Sequence, residues 1–312
     1  MKPTVTLLAA LLALTGAAGP LSAQTAQSTE PIEVAKLPYI EIFSPTFFWN
    51  DEADFVRTGS TTCPKGRAIT GGLNIQQGKA SLRILESYPD GESWVTRVVN
   101  RQRPESVQSL QVRGFALCLL PAARKASVML TQYSKLAHVS SRFGLPSGFA
   151  SATSRQACPQ GSLVISGGFG LDPEYKGPAA PRLELNYPDP NGWNVRAVNG
   201  AAGAAADARA YAVCLGAKEG VDIRNFQTIY FVDKDVLVKA DNGEARQSIG
   251  CGDESAYVLA GGSRTIKGRS ANVEMQESFP DTPKSWTIGV TNRGDKKAGD
   301  VTVKLYAVCI KK

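Results

Sequence analysis

The chain has 312 residues, of which 43% are hydrophobic and 20% charged, with 35 basic and 28 acidic side chains, six cysteines and a single histidine. The positive balance is mild and interspersed, so the clustered basic stripe of a nucleic-acid binder is missing. With only His138 available, His-rich zinc sites and type-1 copper sites are excluded, and a Ser-His-Asp or Cys-His triad would have to be built on that one residue.

Residues 1–23 read as a secretory signal. Met1-Lys2 is followed by an apolar run from Val5 to Ala18 and by the small-residue cleavage site Gly19-Pro20-Leu21-Ser22-Ala23. Loss of Lys2 leaves 34 basic against 28 acidic residues, a net charge of +6. No other segment is long and apolar enough for a membrane-spanning helix, so the mature chain is expected in a periplasm, at the cell surface or outside the cell. Residues 24–36 are polar and contain proline, which predicts a flexible lead-in.

From residue 37 onward one frame occurs three times. It runs from Cys63 to Cys118, from Cys158 to Cys214 and from Cys251 to Cys309. Each copy passes a glycine pair (Gly71-Gly72, Gly167-Gly168, Gly261-Gly262), then an aromatic-Pro-Asp turn that begins at Tyr88, Tyr187 or Phe279. A tryptophan follows (Trp94, Trp193, Trp286), with an asparagine six residues later (Asn100, Asn199, Asn292). The opening cysteines are 95 and 93 residues apart, a period that marks repeated structural units. Leader strands are expected at 39–49 and 54–61, at 127–141 and at 225–239. The repeats are bounded accordingly at 37–121, 122–217 and 218–312.

Within each repeat the pattern alternates with period two, as a half-buried strand does. Before the aromatic-Pro-Asp turn, Leu82, Ile84 and Tyr88 share a face, as do Leu183, Leu185 and Tyr187, and Val273, Met275 and Phe279. The tryptophans lie on apolar faces beside Val, Ile or Ala, which places them and the three turn aromatics in the core. The closing strands are apolar on both faces: Phe115, Leu117 and Leu119, Tyr211, Val213 and Leu215, and Tyr306, Val308 and Ile310 are expected to be covered by a neighbouring repeat or a leader strand. Six cysteines allow 15 pairings, and the repeat pattern favours Cys63–Cys118, Cys158–Cys214 and Cys251–Cys309. The fold expected is all-β: three tandem antiparallel sandwich-like repeats, each with one internal disulfide. A β-prism-like arrangement of three sheets ranks second.

No catalytic, cofactor or metal residues are assigned. Glu86 and Glu277 occupy equivalent places, but Leu185 stands there in the second repeat, and nothing sets two carboxyls across one cleft as a glycosidase requires. Asp90, Asp189 and Asp281 read as turn-formers. Asn50–Asp54 and Asp233-Lys234-Asp235 offer oxygens but match no calcium loop spacing. The glycine pairs lack the Lys-Ser/Thr of a phosphate loop and read as bulges or close backbone approaches.

The landmarks Cys-Pro-x-Gly, Gly-Gly, Tyr-Pro-Asp, Trp, Asn and Tyr-Ala-Val-Cys resemble a module of exported bacterial proteins, often in tandem and mostly of unassigned function. The third copy departs from it, with Cys251-Gly252-Asp253 in place of Cys-Pro-x-Gly. The triple repetition also resembles the vitelline membrane outer layer family, which implies a β-prism, although that family's repeats are shorter. The expected function is that of a non-enzymatic structural or binding component of the cell envelope or its exterior. Its partner would be an envelope or extracellular protein or polysaccharide. Carbohydrate binding is the first alternative and a carboxylate-dependent hydrolase the second. The candidate surfaces are the stretches Gly78–Ser81, Glu174–Arg182 and Thr265–Ser270, where the repeats diverge.

Overall fold

A computed structural model describes residues 27–28, 32–37, 40–44, 46–49, 56–77, 82–100, 110–119, 133–148, 150–171, 181–200, 205–217 and 229–311. The signal segment 1–23 and the stretch Asn50–Asp54 lie outside them. The described residues are almost all strand, as the alternation requires. They begin with β1 (Gln27–Ser28), β2 (Ile32–Leu37), β3 (Ile40–Ser44), β4 (Thr46–Trp49), β5 (Val56–Thr62), β6 (Arg67–Gln77), β7 (Leu82–Asp90), β8 (Ser93–Asn100) and β9 (Leu110–Leu119). The second repeat supplies β10 (Tyr133–Leu145), β11 (Ser151–Ala157), β12 (Ser162–Leu171), β13 (Arg182–Asp189), β14 (Gly192–Val198) and β15 (Ala206–Ala217). The third supplies β16 (Ile229–Val238), β17 (Gly243–Gly250), β18 (Ala256–Lys267), β19 (Val273–Thr282), β20 (Ser285–Asn292) and β21 (Val301–Lys311).

Three antiparallel sheets result, and each is shared by two repeats. The nine-stranded sheet A runs β1-β4-β9-β6-β19-β20-β17, with β3 also on β9 and β2 on β3; sheet B runs β10-β15-β12-β7-β8-β5, and sheet C runs β11-β14-β13-β18-β21-β16. In every sheet, three strands of one repeat (leader, closing strand, glycine-pair strand) continue into three strands of another (turn strand, tryptophan strand, second leader). The joins are cyclic: Phe169 pairs with Ser87, Ser263 with Asn186 and Leu73 with Ser278. The glycine-pair strands of the three repeats also approach one another, as do the three turn strands. The repeats are therefore disposed about a quasi-three-fold axis. Each repeat is a small two-layered body, and each of its layers continues into a neighbour, so both arrangements expected from sequence are present together.

The landmarks explain themselves as packing. Trp94, Trp193 and Trp286 are buried to 2%, 0% and 1% exposure between the two layers of their own repeats. Each indole lies against the first glycine of the pair, where an added Cβ would collide with the ring. Each indole N–H donates across to the turn strand: to Ser87 Oγ at 2.8 Å, to Asn186 Oδ1, and to Ser278 Oγ at 2.9 Å. The second glycine meets a different neighbour. Cβ atoms on Gly72, Gly168 and Gly262 would run into the backbone carbonyl oxygens of Ser278, Ser87 and Asn186, residues of another repeat. The pair is thus one glycine for the tryptophan and one for the join between repeats. Asn199 and Asn292 donate side-chain N–H groups to backbone carbonyls, Asn199 to Pro146 at 2.8 Å and Asn292 to Gly299 at 3.1 Å.

The disulfides Cys63–Cys118, Cys158–Cys214 and Cys251–Cys309 link the two layers of each repeat, with separations of 55, 56 and 58 residues. Cys118, Cys214 and Cys309 are fully buried beside Ala116, Ala212 and Ala307. We expect the double variant Cys158→Ser/Cys214→Ser to lose about 4 kcal/mol of stability in urea titration, the chain-entropy value for a loop of that length.

Sequence and structure differ in three places. Tyr88 and Tyr187, expected in the core with Phe279, are half-buried, whereas Phe279 is 3% exposed. The cause is a bulge in each turn strand, at Leu85, Glu184 and Gln276, which reverses the faces after it. Ser87, Asn186 and Ser278 consequently face the tryptophans, and the turn aromatics point away from them. The lead-in is not wholly irregular, because Gln27–Ser28 pairs with β4 and Ile32–Leu37 with β3. The second leaders β11 and β17 carry mostly polar residues and give no apolar alternation to read.

Candidate binding surfaces

Two polar or aromatic constellations arise where the repeats meet. The first stands where the turn strands begin, five residues before the turn aromatics. Arg83, Arg182 and Glu274 occupy that equivalent place. Arg83 Nη1 and Arg182 Nη1 lie 3.7 Å and 3.8 Å from Glu274 Oε1, and Arg293 Nε lies 3.3 Å from its Oε2. The bulge residue Glu184 sits beside them, its side chain 0% exposed, held by Arg196 Nε at 3.1 Å and Ser270 Oγ at 3.4 Å. Its second oxygen has no hydrogen-bond partner among the described residues. Four guanidinium groups thus surround two carboxylates, and three repeats are tied together by charge.

Burial pushes the Glu184 carboxyl above the ordinary carboxylate range, against the pull of Arg196 and Arg182. A carboxyl whose folded value is raised holds its proton more tightly in the folded than in the unfolded chain. Stability therefore falls as pH rises from the unfolded value through the folded one. We expect Glu184→Gln to flatten that part of the stability-versus-pH curve, measured by urea titration between pH 4 and 8. An unchanged slope would show that Glu184 keeps its ordinary affinity for protons.

The second constellation is a set of aromatic pairs across the joins. Each turn aromatic stacks on an aromatic three residues before a closing cysteine: Tyr88 on Tyr211 at 4.9 Å, Tyr187 on Tyr306 at 5.4 Å, and Phe279 on Phe115 at 5.3 Å between ring centroids. These pairs cover the second face of the closing strands. Leu117 and Val213 are fully buried, Phe115 and Leu215 are each 4% exposed, and Tyr306 and Ile310 each 8%. In sheet C the guanidinium of Arg264 stands 5.1 Å from the Tyr187 ring and 5.7 Å from Tyr306. In sheet A, Arg246 stands 5.4 Å from Phe279 and bonds Glu277 at 3.0 Å.

The other sequence candidates take structural places. Glu86 and Glu277 are in different sheets, and each has its own arginine, Arg97 at 2.6 Å and Arg246. Asp189 accepts from Asn191 and Asn194 of its own hairpin and from Arg155 of β11, and Asp281 accepts from Ser248. Asp233 and Asp235 are both engaged by Lys304, at 2.9 Å and 3.0 Å. His138 is half-buried, with Nε2 2.9 Å from the Ala68 carbonyl, and burial lowers its pKa. Of the divergent stretches, Gly78–Ser81 and residues 174–180 lie outside the described residues. Thr265–Ser270 leads into a short 3₁₀ turn, Ser270–Asn272. The arginine-glutamate cluster was missed in the sequence, although the fixed offset from the turn aromatic would have found it.

No family model matches the chain, and no curated protein matches it. Among solved structures, one match is a chain from "The Triple Jelly Roll Fold and Turret Assembly in an Archaeal Virus", at 10% identity and a TM-score of 0.18, covering 91% of this chain and 89% of that one. Another comes from the atomic structure of Sulfolobus Turreted Icosahedral Virus, at 9% identity and a TM-score of 0.19, covering 92% and 89%. Similarity of that size carries no function to this chain.

Proposed function

We propose that the protein is an exported, non-enzymatic structural or binding component of the cell envelope or its exterior. The observation that carries this reading is that all six cysteines are paired, each pair within one repeat. Disulfides used in this way belong to an oxidising compartment, outside the cytosol. The signal-like residues 1–23 and the likeness to tandem modules of exported bacterial proteins support the same reading. A body built from three joined repeats suits a structural part or a multivalent binder.

Fractionation of the producing cells is the test. The processed, oxidised protein is expected in the periplasmic, surface or secreted fraction, and a reduced, full-length cytosolic form would overturn the reading. Carbohydrate binding is the second reading, favoured by the half-buried Tyr88 and Tyr211 rings, since aromatic rings stack on sugars. Saturable binding on a glycan array, lost in Tyr211→Leu, would establish it.

A further inference from the structure

The leader strands β10 and β16 stand at the ends of sheets B and C, and no described strand pairs with their far sides. Their counterpart in sheet A is β3 with β4, separated in sequence by Pro45 and followed outward by β2 and β1. Sheet A thus shows that a further strand fits beyond a leader. β10 and β16 lack the devices that keep such edges from pairing. β16 runs in register with its closing strand from Ile229 to Val238, and β10 from Lys135 to Leu145, without a bulge or a proline. Long, regular edges are templates for another chain. β16 also exposes apolar side chains, Phe231 at 37% and Leu237 at 54%.

We propose that β10 of one copy of this chain pairs antiparallel with β16 of a second copy, joining sheet B to sheet C head to tail. The two strands hold the same place in their repeats, since Ala137 stands opposite Cys214 as Tyr230 stands opposite Cys309. Their outward backbone groups therefore alternate in the same phase. A register with Arg142 opposite Asp233 keeps both that phase and the faces. Ser140 then meets Asp235, and Gly144, whose Cβ position is open, leaves room for the Phe231 ring. On the core side Val139 meets Val236, Phe143 meets Val232 and Leu145 meets Tyr230. Apart from the buried Leu145, these side chains are only partly buried in the single copy, so the added strand covers what one copy leaves open. Arg67 and Ala68 hold β10 at its other end, through the Leu136 carbonyl and His138.

Charge favours this pairing over self-pairing. On β16, Asp233 and Asp235 share Lys304, at 2.9 Å and 3.0 Å. On β10, Arg142 stands directly opposite Arg209 and pairs with Asp207 at 3.4 Å. One edge thus carries an excess of carboxylate and the other an excess of guanidinium. Like charges directly opposite each other destabilise a strand pair. β16 on β16 over the same span would set Asp233 against Asp235 and Lys234 against Lys234. β10 on β10 would leave Phe231 uncovered. Each copy carries one edge of each kind, so the contact is heterologous and repeats from copy to copy.

The test is sedimentation velocity of the oxidised full chain at rising concentration, where species larger than a dimer are expected. Arg142→Asp and Asp233→Arg each set like charges across the contact, and each is expected to raise the concentration needed for assembly at least about ten-fold. The double variant Arg142→Asp/Asp233→Arg exchanges the two charges and is expected to assemble again. It carries both substitutions, so a folding defect cannot imitate the recovery. A monomer at every concentration, growth that stops at the dimer, single variants that assemble like the parent, or a double variant no better than the weaker single would each overturn the proposal. The inference does not rest on export: a cytosolic protein that assembled in this way would sink the reading above and leave this one standing.

Discussion

Gly168→Ala is expected to be among the most damaging single substitutions in this chain, costing about 3 kcal/mol or more. The added methyl would be driven into the Ser87 carbonyl oxygen and toward Tyr88 Cα. Those are backbone atoms of another repeat, held by the sheet, and they cannot rotate aside as a side chain can. Gly72→Ala and Gly262→Ala should behave alike, against Ser278 and Asn186. Gly144→Ala is the control. Its Cβ meets nothing within 4 Å and its backbone is not left-handed, so near-neutral or slightly higher stability is expected. Urea titration of the four variants checks this, and equal losses for Gly144 and Gly168 would refute the close-approach account.

Removal of the third repeat, residues 218–312, should abolish cooperative folding. Sheet A would lose three of its nine strands and sheet C three of its six. β6 and β13, interior strands in the whole protein, would become bare edges, and Phe115 and Tyr187 would lose Phe279 and Tyr306. Unpaired interior strands with apolar faces invite aggregation. The full chain should melt in one transition. A truncated chain that melted cooperatively within about 5 °C of it would show that each repeat is self-sufficient, since a shift that small corresponds to about 2 kcal/mol.

How much of this was legible follows from what period-two reading detects. The tryptophans, the small face around each closing cysteine and the disulfide pairing follow from alternation and repetition, both local properties of the chain. The fate of Tyr88 and Tyr187 was not legible, because one extra residue at Leu85 or Glu184 reverses every face beyond it and leaves no mark in composition. The sharing of sheets was hidden in Gly72, Gly168 and Gly262. A second glycine announces a close approach without saying to what. The arginine-glutamate cluster was hidden because Glu274 breaks the identity of Arg83 and Arg182, and only a fixed offset from the turn aromatic brings the three together.

The join between Leu73 and Ser278 has a kinetic consequence. Two of the three joins need only the next stretch of polypeptide, but this one unites the opening third of the molecule with its closing third. The cystines can form early, one body at a time, while the circle stays incomplete until the last strands arrive. Contacts between such remote residues make folding slow, so closure of the circle is expected to be the last and slowest step of folding.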